Sequence, residues 1–529
     1  MKIFIKRHLL IIITLSISVL LFSLSFPGLF NQNGLAFISF IALIPMFLVI
    51  FRLNKIEIPI YGFLYGMGKY LLFNYWFKSF DPAASAVAPG IHGVYYLVLF
   101  ILFRFLFNRF PKFGYLPIAI TWVAYEVFKS TDIVGYSYGI LAQTMYKTPL
   151  FTGVLDIIGS YNLSLLIIFP GLLFAFMIST PKENRSKKAW IVPLVIYVII
   201  MITAIIYTQL SKVDYSKSKT LRITLVQHNL NCWLSQDNPD LYAQAYDHLE
   251  ALSKKGEEKG AQLVVWPETA FVPAIEWHKK YRPKDERDRY DLIMRLEKYL
   301  RSTNALYIIG NNESFNESEL KPQRDKQYNT AYLYDKDIII SKYRKMNLVP
   351  FTESFPHPEL FPWLYEYVKK LGNTQTLPGK EQTLFDIDGI KSTVLICYED
   401  TFTDLPREAT NNGSDLMINI TNDAWTNYSS AALQHLAAAS LRTIENRRSL
   451  VRAGTSGFTG IIDPNGKILT SLPLFTKGEI TYDVPIYHGH KTFYTKHGKF
   501  MDNISSYLFL IIMLIALMSR VNDKKRKHH

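Results

Sequence analysis

The stretch LMINITNDAWTNYSSAALQHLAAASLRTIEN, residues 416–446, decides the fold class. Leu416–Thr421 is a short apolar run that reads as a strand, and Ala431–Asn446 reads as a helix. The same alternation continues outward. Leu221–Gln227, Gln262–Trp266, Ala305–Gly310, Asn329–Tyr334, Ile338–Lys342, Thr393–Cys397 and Leu450–Ala453 read as further strands. Leu241–Lys254 and Tyr290–Ser302 read as further helices, and Asp463-Pro-Asn-Gly466 as a turn between two short strands. Strands alternating with helices imply an α/β domain, expected over residues 218–486.

Three strand ends in this domain carry reactive groups. QLVVW runs into Pro267-Glu268-Thr269, Ile338–Lys342 leads to Tyr343-Arg-Lys345, and TVLI ends on Cys397-Tyr398-Glu399-Asp400. Each alone has an ordinary reading: a solvated Glu, a surface Lys, a packed Cys. Together they make chemical sense. A thiol must lose its proton to attack a carbonyl, and near neutral pH only a few per cent is ionised unaided. A carboxylate can take that proton, while an ammonium favours the thiolate and can hold the oxyanion of a tetrahedral intermediate beside a backbone N–H. Other nucleophiles fare worse. Gly454-Thr-Ser456-Gly457 lacks the G-x-S-x-G spacing. His228 and His435 have no evident partner, and His435, placed at a helix start, reads as structural. No spaced ligand set appears, so neither a metal nor a cofactor is expected.

The 529-residue chain is too long for one ordinary domain, and its first two hundred residues are far more apolar than the rest. Stretches near the required 20 residues or so lie at Leu9–Leu24, Leu35–Phe51, Ile58–Trp76, Val94–Phe107, Leu116–Val127, Gly159–Ile178 and Trp190–Ile206, with a last one at Ile504–Met518. The expected plan is a membrane domain over 1–212 with about seven transmembrane helices, the α/β domain, and a C-terminal helix with a basic tail over 487–529. Lys69 interrupts the third stretch, Arg104 lies near the end of the fourth and Glu126 ends the fifth.

Lys and Arg number 58 against 44 acidic residues, and their placement explains the +14 balance. Basic residues flank alternate stretches: Lys2, Lys6 and Arg7; Arg52 and Lys55; Arg109 and Lys112; Lys182, Arg185, Lys187 and Lys188; Arg520 and Lys524–Lys527. The loops Pro27–Gly34 and Ser79–Gly90 hold none; Lys129 and Lys147 are the weak exception. Positive residues mark the cytoplasmic side. Both termini are therefore expected in the cytoplasm and the α/β domain outside, in the periplasm of a bacterial inner membrane. A cleaved signal peptide at the start is disfavoured by the six stretches that follow. Basic flanks of membrane spans account for the charge without nucleic acid. With two cysteines, Cys232 and Cys397, the chain is no disulfide scaffold, and a bridge between them is not expected.

Pro267-Glu268, Lys345 within Tyr-x-Lys-x-x-Leu-Val-Pro-Phe-x-Glu353, and Cys397-Tyr-Glu resemble the Glu-Lys-Cys triad of the nitrilase, or carbon–nitrogen hydrolase, superfamily. Asn419-Ile-Thr-Asn-Asp-Ala-Trp425 and the run from Gln434 through Arg442, Glu445 and Val451 to Gly457 strengthen the likeness. Set between seven apolar stretches and one, the arrangement resembles the apolipoprotein N-acyltransferase family over nearly the whole chain; Val226-Gln-His-Asn229 and Pro149–Ser164 also fit. There are departures. Thr352 stands where the family has Gly, and Trp233 is offset from the family's Trp, so no role is transferred to it.

The resemblance implies an αββα sandwich and a ping-pong reaction. Cys397 takes an acyl chain from a phospholipid, phosphatidylethanolamine being the expected donor, and passes it to the free amine of a diacylglyceryl-cysteine at the start of an apolipoprotein. Glu268 is the implied base and Lys345 the oxyanion partner; Glu353, Tyr398 and Glu399 map onto supporting positions. Two rivals stand beside it: a membrane-tethered nitrilase-type amidase, and a transporter or receptor whose binding domain derives from an inactive enzyme. One anchor would suffice for an amidase, and an inactive domain would be expected to lose triad residues.

Overall fold

Apolar helices build the first part of the chain. In a computed structural model, residues 2–79, 84–131, 135–181, 188–231, 238–272, 274–282, 284–315, 326–355, 358–359, 362–363, 365–366 and 376–527 are described. Cys232 and Trp233 lie outside them. Two compact units result: 1–131 with 136–212 and 497–529, and 132–135 with 213–496.

The helical unit contains α1 (Lys2–Ser25), α2 (Ile44–Ile50), α3 (Glu57–Phe73), α4 (Ala84–Arg109), α5 (Tyr115–Thr131), α6 (Leu155–Ser179) and α7 (Lys188–Leu210). Five described segments are long and apolar enough to cross a membrane: Lys2–Ser25, Val87–Arg109, Thr152–Ser179, Lys188–Leu210 and Phe493–Arg520. The stretch expected as one span at Leu35–Phe51 is instead a short 3₁₀ turn, Ala36–Phe40, followed by α2. Pro45, at the start of α2, has no N–H to continue a helix from the residues before it, so the helix begins anew there.

Helices α3 and α5 have 17 residues each and carry charge. Their charges are buried and partnered. Lys69 donates to the Tyr96 hydroxyl and lies 3.5 Å from the centre of the Phe22 ring. Glu126 accepts from Trp122 (3.0 Å) and from the Leu141 amide (2.9 Å). Close packing of α3 on α4 needs a missing side chain: a Cβ on Gly66 would lie 2.5 Å from the His92 carbonyl.

The second unit is a four-layer αββα sandwich. One six-stranded sheet has the order β12-β1-β2-β3-β4-β5, using β1 (Thr220–Gln227), β2 (Leu263–Val265), β3 (Leu306–Phe315), β4 (Lys326–Asp335), β5 (Ile338–Arg344) and β12 (Gly478–Pro485). The other has the order β11-β10-β9-β8-β7-β6, using β6 (Leu384–Ile387), β7 (Ile390–Ile396), β8 (Leu416–Thr421), β9 (Ser449–Gly454), β10 (Gly460–Ile462) and β11 (Ile468–Ser471).

Side-chain alternation explains the layers. Leu221, Ile223 and Leu225 of β1 and Leu263 and Val265 of β2 meet Val394, Ile396, Ile418 and Val451 of the other sheet in one core. The intervening residues Val226 and Val264 face outward, where Tyr242, Leu249, Leu296 and Leu300 cover them. Those four sit on α8 (Pro239–Glu258) and α10 (Arg287–Ser302); α9 (Ile275–Tyr281) lies between these helices in the chain. Sequence pattern missed α9, α11 (Asp404–Asn411), β6 and β12. Strand β12 pairs antiparallel with β1, from 257 residues later at Thr224–Thr481, and its own burial is too irregular to announce a strand. Helix α12 (Ser429–Asn446) is buried throughout from Ser430 onward, and α13 (Phe493–Lys527) follows the last strand.

Candidate active site

Strands β1, β2 and β3 run parallel in one sheet, and β7, β8 and β9 in the other. Polar groups gather just past their ends, where the ladder stops consuming backbone donors. Glu268 follows β2, Lys345 follows β5, and Cys397 is the first residue after β7. The sequence expectation made Cys397 the last residue of its strand; the strand stops one residue earlier, and Cys397 opens a 3₁₀ turn, Cys397–Thr401, with φ +54°. That left-handed backbone is uncommon for a residue with a side chain and must be held by its surroundings.

The structure brings Glu268, Lys345 and Glu353 into direct contact, all buried. Lys345 Nζ lies 2.8 Å from Glu353 Oε2 and donates to Glu268 Oε1 at 3.5 Å. Asn329 Nδ2, on β4, donates to Glu268 Oε1 (2.7 Å) and to Glu353 Oε1 (3.0 Å), tying the two carboxylates to one amide. The Asn422 amide donates to Glu268 Oε2 (2.9 Å), and the Val349 amide to Glu353 Oε2 (2.8 Å). The half-buried Cys397 is close enough for its charge and those of Glu268 and Lys345 to act on one another.

Electrostatics then assigns the resting charges. Burial pushes Glu268 above its usual range; the charge of Glu353 adds to this, while Lys345, Asn329 and the Asn422 amide oppose it. For Lys345 burial works against the charge, but Glu353 and then Glu268 more than reverse it, so the ammonium is held. Burial, then the charge of Glu268, pushes the Cys397 thiol well up, against the smaller opposing effect of Lys345. Lys345 thus acts on the thiol in the expected direction. Burial first and the Glu268 charge second outweigh the pull of an ammonium that also serves two carboxylates, so the proton is favoured on sulfur.

The supporting positions are bracing groups. Glu399 Oε1 accepts from the Tyr343 hydroxyl (2.8 Å) and the amides of Met346 (2.7 Å) and Asn347 (3.0 Å). Its Oε2 accepts from the Ile396 amide (2.8 Å), joining the loop that carries Lys345 to the strand that carries Cys397. Burial raises the Glu399 carboxyl to about 7, with those hydrogen bonds opposing. Tyr398 donates to the Gly135 carbonyl (2.6 Å), a residue that clusters with this unit.

Sequence reading gave no role to Asn329 and dismissed His435. Nothing in a strand pattern announces an amide that bridges two carboxylates. His435 sits in the second turn of α12, not at its start, and has partners 35 residues before it and 17 after it, Asp400 and Arg452. His228, also buried, accepts from the Leu230 amide (3.0 Å), and burial lowers its imidazole to about 3.

Comparison with known proteins follows the same division of the chain. A family model described as carbon-nitrogen hydrolase matches residues 222–487, and one described as apolipoprotein N-acyltransferase N-terminal domain matches 18–173. The chain is 34% identical over 523 residues to apolipoprotein N-acyltransferase 1 of Treponema denticola, covering 95% of this chain and 96% of that one. It is 31% identical over 489 residues to apolipoprotein N-acyltransferase 1 of Treponema pallidum, covering 89% of each. Among solved structures, an amidase from Nesterenkonia sp. is 20% identical with a TM-score of 0.37, covering 51% of this chain and 91% of that one.

Proposed function

Because this chain belongs to the apolipoprotein N-acyltransferase family, membrane proteins built on a carbon–nitrogen hydrolase domain, we propose that it moves a fatty acyl chain from a phospholipid, through a thioester on Cys397, to the N-terminal amine of a diacylglyceryl apolipoprotein. The observation that carries this reading is the half-buried Cys397 on a left-handed turn beside a buried Glu268–Lys345–Glu353 set.

In the proposed first half, the Sγ of Cys397 attacks the ester carbonyl carbon as Glu268 takes its proton. A base must act in that same step, because the resting sulfur is a thiol. Lys345 and the Tyr398 backbone N–H hold the oxyanion. On collapse the ester C–O bond breaks, Glu268 returns the proton to the departing lysophospholipid oxygen, and the acyl chain stays on sulfur. In the second half the neutral amine attacks the thioester, Glu268 takes an amine proton, the C–S bond breaks, and Glu268 gives that proton to the departing sulfur, restoring the thiol and the carboxylate. Phosphatidylethanolamine is the donor we assign. From the basic flanks we place both termini in the cytoplasm and the catalytic domain in the periplasm, at the inner membrane.

The deciding experiment loads purified protein with phospholipid in detergent micelles and then adds a diacylglyceryl peptide at a set time, measuring free fatty acid and N-acyl peptide separately. The thioester should persist for minutes in water and discharge on the peptide, which requires a site that excludes water and admits the amine. Fatty acid released at the same rate with and without peptide, and no N-acyl product, makes the protein a tethered amidase-type hydrolase instead.

The coupling of the two carboxylates also sets the pH profile. Glu268 must be ionised to act as base, and its raised pKa places the acid limb of kcat/KM above the ordinary carboxylate range. Glu353→Gln removes a negative charge that raises Glu268, so Glu268 ionises at lower pH. The acid limb should therefore move down in pH, whatever happens to the plateau. A limb that stays in place or moves up would remove Glu268 as the titrating base.

A further inference from the structure

We infer that His435 is a positioning residue for the oxyanion donor: it grips the main-chain carbonyl of Cys397, while Asp400, Asp423 and Arg452 hold its ring. This rests on Cys397 being the nucleophile and deepens that reading. His435 Nε2 lies 3.2 Å from the Cys397 carbonyl and 2.8 Å from Asp400 Oδ1. Asn419 Nδ2 donates to the same carbonyl at 3.0 Å.

The leverage comes from the peptide plane. The carbonyl of Cys397 and the N–H of Tyr398 belong to one rigid trans amide, so they point in opposite directions. Holding the carbonyl toward His435 and Asn419 therefore aims the Tyr398 N–H the other way. At φ +54° the chain would relax from this orientation without a hold on the carbonyl.

The proton needed for the grip is fixed by its neighbours. Nε2 faces two acceptors, Asp400 Oδ1 and the Cys397 carbonyl, which favours a hydrogen on Nε2 whether the ring is neutral or charged. On the other side of the ring Nδ1 lies 2.8 Å from Arg452 Nη2 and 3.2 Å from Asp423 Oδ1. Arg452 also donates to Asp400 Oδ2, and to Asp423 Oδ2 at 3.3 Å. All four side chains are buried, and they come from the nucleophile's own turn, the end of β8, α12 and β9. The packing leaves no slack: a Cβ on Gly457 would lie 2.2 Å from Asp423 Oδ2.

The test uses the full-length protein in detergent and two variants that differ in reach. In His435→Gln the amide nitrogen extends to about where Nε2 sits; in His435→Asn it reaches only about as far as Nδ1. For N-acyl transfer, His435→Asn should lower kcat about 100-fold, the scale of a misplaced oxyanion donor, with both KM values little changed. His435→Gln should recover to within about tenfold of wild type. Alkylation of Cys397 by iodoacetamide, a displacement at saturated carbon that forms no oxyanion, should proceed at near wild-type rate in both. Equal losses in the two variants, or alkylation falling in step with transfer, would make His435 a structural residue only. Undiminished kcat in His435→Asn overturns the inference alone, whereas a wild-type protein that takes no acyl chain on Cys397 overturns it together with the proposed function.

Discussion

Cys397→Ser is expected to abolish acyl transfer while leaving membrane insertion and the folded state intact. The substitution exchanges one atom at a half-buried position on the turn that follows β7, so packing changes little. The chemistry changes far more. Even the thiol is pushed above its usual pKa here, chiefly by burial and by the charge of Glu268. An alcohol begins many units higher, so the same carboxylate would have to remove a proton it has little affinity for. The loss should be at least about 10³-fold, on the scale seen when an activated nucleophile is removed. Peptide N-acylation and the mass of the Cys397-containing fragment, read after incubation with phospholipid, check this. A folded, membrane-inserted serine variant that still transfers acyl chains would take Cys397 out of the mechanism.

Lys345→Met should lower transfer by about 10³-fold, at the upper end of what losing one oxyanion partner produces. The structure supplies the reason for expecting the upper end. Lys345 is the cation between Glu268 and Glu353, and both carboxylates also share Asn329. Without the ammonium, two buried negative charges face each other, and one takes up a proton. Glu268, already raised by burial, would be neutral over more of the pH range and unable to act as base. The acid limb of kcat/KM should therefore move up, opposite in sign to the shift expected from Glu353→Gln. Stability should fall by about 3–5 kcal/mol, the usual cost of leaving a buried charge unpaired. Steady-state kinetics from pH 5 to about 9 on protein shown to be folded separates the effects. A loss below tenfold, with no movement of the limb, would make Lys345 a buried structural ion-pair partner.

Much of this protein was legible because local pattern records local physics. An apolar run that stops at a polar residue marks a strand end, so Glu268, Lys345 and Cys397 stood out before any contact was known. Long uncharged stretches marked the helices of the membrane unit, and the alternation within β1, β2 and β3 announced two faces to cover. Where a local rule was broken, at Pro45, the broken span at Leu35–Phe51 could have been read from the same sequence.

The rest depended on residues that meet only after folding. Strand β12 is a strand because β1 offers it an open edge, not because its own residues alternate cleanly. Asn329 becomes the bridge of two carboxylates only when β2, β4 and β5 are laid into one sheet, and Glu399 becomes a brace only when the loop after β5 meets the end of β7 from the opposite sheet. His435 looked partnerless in sequence, yet its ring is held by an Asp from the nucleophile's turn and an Arg from β9. The sign of the Cys397 shift was likewise undecidable from residue types, since a Glu and a Lys push a thiol in opposite directions. Two carboxylates on one ammonium, in a site buried from water, decide it. Residue types and their periodicity determine which groups the chain offers and on which element; distances and desolvation, which exist only in the packed chain, determine what those groups do to one another.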